Sequence, residues 1–174
     1  MATRSLPKGS VAIDPREYRR ALAQFPTGVT IVTARGEHGG YIGLTANSFT
    51  SVSLDPALVS WSLRLSSALF EAFDRAGHFG VNVLAASQAG LAARFATRCD
   101  DRFQGVEVIE GIEGLPLIAG SLATFECSNL ACHVAGDHGI FIGKVERYTT
   151  AQRAEPPLVF CQGGYTAPRA ALAT

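Results

Sequence analysis

The stretch LATFECSNLACHVAGDHGIFIGKVERY, residues 122–148, decides the fold class. Residues 122–134 and 139–148 read as two long strands, and Ala135-Gly136-Asp137-His138 between them is a turn, because Gly-Asp pairs tolerate the backbone angles that hairpins need. Upstream, 28–34 (GVTIVTA), 41–51, 57–65 (ALVSWSLRL) and 78–84 (HFGVNVL) carry the β-branched and aromatic content of further strands. The cluster at 36–40 makes the first two a hairpin, Asp55-Pro56 is a turn, and a final strand is expected near 157–162. Six or more strands with short helices between them predict a mostly β chain closed, or nearly closed, into an antiparallel barrel of Greek-key type. A doubly wound parallel sheet would need a helix after nearly every strand, and those are missing.

Three short helices are expected. Asp14 is an N-cap, Pro15 suits the first helical position, and Glu17 lies within reach of a capping box. Tyr18, Ala21, Leu22 and Phe25 then form an apolar stripe that should end near Pro26. Ser66 and Ser67 offer caps for a helix carrying Leu69, Phe70 and Phe73, and Ser87 for one carrying Leu91 and Phe95. Residues 99–120 read as loop with a short strand. The layout is an arm over 1–13, a domain over 14–167 and a tail over 168–174.

With 174 residues the chain can bury a core without staples, and 15 basic against 15 acidic residues leave no footprint for nucleic acid or an anionic membrane. No export signal or spanning stretch is evident, so a cytoplasmic location is expected. The four cysteines, Cys99, Cys127, Cys132 and Cys161, lack CxxC spacing and read as free thiols of a reducing compartment. On a regular strand Cys127 and Cys132 would point to opposite faces. His133 and His138 lack a carboxylate or thiol at ligand spacing, so no metal is expected.

Three segments can carry chemistry. Thr45-Ala46-Asn47-Ser48-Phe49-Thr50-Ser51 puts short polar side chains on a strand, suited to the edge of a planar heterocycle; the alternative is an edge strand with a solvated face. Ser62-Leu63-Arg64-Leu65-Ser66-Ser67 runs from a strand end into a helix start, where amides, hydroxyls and one Arg suit a phosphate; the alternative is plain capping with Arg64 in a surface ion pair. Gly136-Asp137-His138-Gly139 sets a donor and an imidazole at a turn, either at a pocket rim or simply solvated. A GxGxxG after a first strand, a Walker loop, a GxSxG elbow and an HExxH are all absent from the sequence, so a dinucleotide would not be held in a Rossmann manner.

In order, these segments resemble the short-chain flavin reductases, which include the reductase components of two-component flavin monooxygenases. The matching stretches are Phe25-Pro26-Thr27-Gly28-Val29, the run from Gly43 to Phe49, residues 51–56, residues 62–67, the strand from Phe79 to Leu84, Phe95-Ala96, Asp101-Arg102-Phe103, Gly136-Asp137-His138 and Gly163-Gly164-Tyr165. The resemblance implies an FMN-binding split barrel, a homodimer, and hydride transfer from NADH or NADPH to FMN or FAD, with reduced flavin passing to a partner monooxygenase. It implies that Thr45, Ala46, Asn47 and Ser48 line the isoalloxazine edge, with Phe49 beside them. It gives the ribityl chain and phosphate to Ser62, Leu63, Arg64, Ser66 and Ser67. Thr27, Gly28 and Phe103 join the cofactor-binding set, and Tyr165 closes the pocket. Gly136, Asp137 and His138 match the nicotinamide-side motif, with His138 at the reacting face. Asn82 is shared with the family either as a brace or as a ligand contact. Rival readings on the same barrel are a flavoprotein that reduces a corrinoid or ferric chelate, and a binding-only flavin or haem protein.

Overall fold

A computed structural model describes residues 13–37, 39–98, 101–152 and 155–168. The elements run α1 (Pro15–Leu22), β1 (Thr27–Gly28), β2 (Thr30–Arg35), β3 (Tyr41–Ala46), β4 (Thr50–Leu54), β5 (Ala57–Arg64), α2 (Phe70–Arg75) and β6 (His78–Val83). There follow α3 (Ala89–Ala96), β7 (Val108–Glu110), β8 (Pro116–Ile118), β9 (Ala123–Ala135), β10 (His138–Thr150), β11 (Val159–Cys161) and β12 (Gly164–Thr166). Seven strands form the main sheet in the order β3-β2-β6-β9-β10-β5-β4, every pair antiparallel.

That order, with one short connection, forces the sheet to curl. β3 and β4 are its two edges, and seven flat strands would hold them roughly 29 Å apart. Only residues 47–49 join them, a reach of about 14 Å. The sheet therefore wraps round, and the result is the expected antiparallel barrel with one seam left open between β3 and β5. The strand expected over 41–51 breaks at Asn47 because the chain crosses that seam there.

The β9–β10 hairpin turns on two residues, Gly136 and Asp137, with Gly136 at φ +62°. Its ladder slips twice: Val145 pairs with Cys127 and Arg147 with Glu126, leaving Glu146 extra, and nearer the turn Ile142 pairs with Ala131 and Gly143 with Asn129, leaving Leu130 as an extra residue. The Leu130 bulge, lying between Cys127 and Cys132, reverses the side-chain alternation there. Cys132 consequently faces inward opposite Phe141, on the same side as buried Cys127, and the opposite faces expected from a regular strand are not found.

Inside the barrel, Trp61 stacks on Phe141 (centroids 4.6 Å apart) and meets Phe73 and Phe79 edge-on. The aromatic cluster needs room on β10, since a Cβ at Gly143 would run into the Phe79 ring. Outside the sheet, Val29, Ile31 and Leu84 pack beneath Ala92 and Phe95 of α3, together with Ile118 and Leu158. β2 is thus buried on both faces. Asn82 is a brace: its amide donates to Ile31 O (2.9 Å) and Thr33 Oγ1 (3.2 Å), and its Oδ1 accepts from Ile118 N–H (2.8 Å). Glu126, fully buried, accepts from Arg147 Nε (2.5 Å) and Nη2 (2.7 Å) and from Ile112 N–H (2.7 Å).

Several local expectations shift. Asp14 caps α1 by accepting from Arg16 N–H (2.7 Å), but the helix stops at Leu22 and its apolar stripe faces outward, with Tyr18 and Phe25 exposed. Ser87 is not a cap. The helical turn begins one residue earlier, Gln88 Oε1 takes the Ala85 N–H, and the Ser87 hydroxyl reaches Glu155 (2.9 Å). The helix expected to start at Ser66 and Ser67 starts at Phe70, and Ser67 Oγ accepts the Leu69 N–H (3.3 Å) instead. The 99–120 region holds the β7–β8 pair, and the C-terminal strand is a hairpin, β11 with β12, on β1. Among the described residues no helix is long and apolar enough to cross a membrane, and no three His, Cys, Asp or Glu side chains are grouped to hold a metal.

Candidate functional site

A trough runs along the open seam. Its first part, about 570 Å³, is walled by Leu44 and Thr45 from β3, Leu63 from β5, Ser67, and Ala96, Arg98 and Arg102 at and beyond the end of α3. A narrower part of about 190 Å³ shares Thr45 and Ala96 with the first and adds Val29, Asn47, Phe160 and Tyr165. A third, about 570 Å³, shares Asn47 and Phe160 with the second and continues past Ser48, Thr27, Gly163 and the α1 residues Arg19 and Leu22. Each part thus shares two wall residues with the next, and the three adjoin along the seam.

Local structure fixes each part. The Thr45 hydroxyl donates to Ala92 O (2.6 Å), tying the β3 lip to α3. Across the seam, Ser62 N–H donates to Ser48 Oγ (2.9 Å), and the Ser48 hydroxyl donates back to Ser62 O (3.3 Å). At one end Arg102 is held by Thr97 O, to which its Nε (3.0 Å) and Nη2 (2.8 Å) donate. Two guanidinium groups, Arg98 and Arg102, make this end cationic. At the other, Tyr165 meets Phe160 edge-on at 5.8 Å, and partial burial pushes its phenol up from the usual value. Gln162 N–H donates to Ala23 O (2.8 Å), which anchors this C-terminal hairpin to the end of α1. Thr27 Oγ1 is buried with no protein partner, a polar atom left over on the trough wall.

The structure brings Thr27, Thr45, Asn47, Ser48, Leu63, Ser67 and Tyr165 to the trough. The Ala46 methyl is buried in the barrel and Phe49 packs inward against Phe125, so at Ala46 only backbone remains for a ligand. Gly28 pairs with Val159 in the small sheet. Phe103 stands edge-on to Phe95 (5.0 Å) and tilted to Tyr41 (5.5 Å), beneath the wall rather than on it. Ser62 stitches the seam, while Arg64 and Ser66 are exposed.

Gly136, Asp137 and His138 do not line the trough, but they are bonded to its rim. His138 pairs with Arg64 in the ladder, and Leu65 N–H donates to Asp137 O (3.0 Å), two residues from Leu63 and from Ser67. Asp137 Oδ1 lies 2.7 Å from His138 Nδ1. That hydrogen bond, with a smaller contribution from the Arg64 charge, holds the Asp137 carboxyl below the usual carboxylate range. Ala96, Arg98, Arg102 and Phe160 were not among the expected site residues. Arg94, Arg98 and Arg102 recur every fourth residue at the end of a helix, which is the one signal that could have marked them.

The flavin reductase like domain family matches residues 22–169. Among curated relatives, the FMN reductase (NADH) SmoA of Agrobacterium fabrum is 49% identical over 150 residues, covering 86% of this chain and 84% of that one. The reductase subunit HsaB of a flavin-dependent monooxygenase from Rhodococcus jostii is 42% identical over 155 residues, 89% of this chain and 78% of that one. Among solved structures, the Streptomyces globisporus NADH:FAD oxidoreductase SgcE6, in complex with NAD and FAD fragments, superposes with a TM-score of 0.84 at 37% identity, covering 92% of this chain and 98% of that one. The chain belongs to the flavin reductase-like family. Within it, this protein is an NAD(P)H-dependent flavin reductase.

Proposed function

We propose that the seam trough holds FMN, or the FMN half of FAD, with its phosphate at Arg98, Arg102 and Ser67 and its ring system toward Asn47 and Tyr165. The observation that carries this is the row of adjoining hollows along the seam, with two guanidinium groups, Arg98 and Arg102, at one end against Arg19 alone at the other, where amide, hydroxyl and phenol groups line the wall. When bound, the flavin supplies a hydride acceptor and the nicotinamide the hydride, so the chain needs to supply position rather than acid–base chemistry. Asn47 and the orphaned Thr27 hydroxyl offer hydrogen bonds to the heterocycle edge, where negative charge gathers on reduction, with Ser48 beside them holding the seam. Leu63 walls the ribityl stretch, and Tyr165 covers the ring end. Arg64, Ser66, Gly136 and Asp137 shape the rim on which His138 meets the nicotinamide. The names of the Agrobacterium and Streptomyces relatives favour NADH as donor.

Reduced flavin then passes to a partner monooxygenase, the role in which the Rhodococcus relative is named. The unit in solution is a homodimer. Tyr18 and Leu22 on α1, Phe25 just beyond it, and Leu54 at the end of edge strand β4 with 93% exposure, are apolar surfaces that a second copy would cover. Unpaired Cys127, Cys132 and Cys161 suit a reducing cytoplasm. The deciding assay is anaerobic: NADH or NADPH is mixed with enzyme and FMN or FAD, and the yellow flavin absorption is followed. Catalytic bleaching is expected; binding of flavin without bleaching would leave only a carrier.

A further inference from the structure

A second groove adjoins the cationic end of the trough. It encloses about 380 Å³ between the β2–β3 turn and α2, and Ala68 lines both it and the trough. That volume falls within the roughly 300–1,000 Å³ of small-molecule sites. Tyr41 and Ile42 form one wall and Ala72 the other, with Glu37, Glu71 and Arg75 at the rim. Arg75 is engaged by both acids, Nη1 to Glu37 at 2.7 Å and Nη2 to Glu71 at 3.4 Å. These three residues sum to one negative charge, so a phosphate is unwelcome here. A ribose diol is suited to the spot, because ionised carboxylates only accept hydrogen bonds and its two hydroxyls donate. Tyr41, 40% exposed with the Arg35 guanidinium 5.8 Å from its ring centroid, offers a purine the rest of its aromatic surface.

We infer that this groove is an adenosine subsite, taking the adenosine end of a dinucleotide whose phosphates lie at Arg98 and Arg102. The inference rests on the trough being the flavin site. One chemistry has two sources here: the adenosine of FAD, or that of the nicotinamide dinucleotide. In either case the carboxylates disfavour a 2′-phosphate.

The test titrates FMN and FAD separately against wild type, Tyr41→Ala, Tyr41→Phe and Ala72→Leu, and measures the NADH KM with FMN as acceptor. Loss of a base–aromatic contact of ~1–3 kcal/mol raises a dissociation constant about 5- to 150-fold. Tyr41→Ala and Ala72→Leu should raise either the FAD Kd or the NADH KM tenfold or more while FMN binding moves less than twofold, and Tyr41→Phe should stay near wild type. A rise in the FAD Kd assigns the groove to FAD, and a rise in the NADH KM to the nicotinamide dinucleotide. If FMN weakens in parallel, or if neither FAD nor NADH responds to Ala72→Leu in a folded protein, the subsite is refuted. Failure of wild type to bind FMN would instead overturn the trough assignment. Should Tyr41→Ala not fold, Ala72→Leu carries the test, since it fills the groove and leaves Tyr41 in place.

Discussion

Replacing Arg102 by Ala should separate FMN from riboflavin. Thr97 O accepts from Arg102 Nε and Nη2 at 3.0 and 2.8 Å, which fixes the guanidinium plane and leaves its remaining N–H groups for a ligand in the trough. One hydrogen bond from a charged donor is worth about 1.5–3 kcal/mol, so its loss raises the FMN Kd about 10- to 150-fold. Riboflavin has no phosphate, and its Kd should move by less than about twofold, the residue of small changes in wall packing. Titration of flavin fluorescence with enzyme gives both constants under the same conditions. The FMN effect should shrink as salt is added, because this end of the trough is open to solvent. Arg102→Lys restores a charge but not the planar fork that bonds Thr97 and a phosphate together, so it should recover only part of the loss. Equal weakening of FMN and riboflavin, or no change in either, would refute the placement of the phosphate.

Three further outcomes are expected. Glu126→Gln removes a buried carboxylate that the Arg147 hydrogen bond holds below its ordinary range. A carboxyl lowered by folding stabilises the protein above its unfolded value of about 4.3 and loses that contribution as pH falls through the folded value, so the variant should lose about 1.5–3 kcal/mol at pH 7, the worth of a hydrogen bond to a charged group, and converge with wild type in acid. Urea midpoints across pH measure this, and a deficit that does not change with pH would contradict it. His138→Ala should raise the nicotinamide KM more than it lowers kcat and leave flavin affinity intact; steady-state kinetics with a flavin titration would expose the opposite pattern. Burial pushes the Cys127 thiol up to about 12, so iodoacetamide at mildly alkaline pH should leave Cys127 unmodified in the native protein and label it in urea, as read by peptide mass.

The barrel was legible because its strands are β-rich runs separated by glycine and proline turns, and because helices between them are few. Local pattern could not show the seam: a run from Tyr41 to Ser51 looks like one strand, and only the position of β3 and β4 at opposite sheet edges breaks it at Asn47. The Leu130 bulge was equally hidden, since nothing in Asn129-Leu130-Ala131 announces an extra residue, and it alone puts Cys132 on the inner face. At the site, Thr45, Asn47, Ser48 and Tyr165 were found by residue type and resemblance. Ala46 and Phe49 were carried along as sequence neighbours although the strand turns them inward. Arg98 and Arg102 continue the four-residue spacing of Arg94, which by itself marks no ligand, and only tertiary folding brings them to β3 and β5.

The open seam has a consequence for stability. Its lips, Leu44 and Thr45 on one strand and Leu63 on another, lack a ladder between them, and the Ser48 hydroxyl makes a stitch where backbone hydrogen bonds would otherwise run. A molecule lying between the lips touches both and binds only when they are together. Occupancy then acts as a missing rung, adding about 2.7 kcal/mol when free ligand stands a hundredfold above its Kd. The melting temperature of this barrel should therefore follow the flavin concentration around it. A seam sewn this lightly also parts easily, as suits a protein that must let its reduced cargo go.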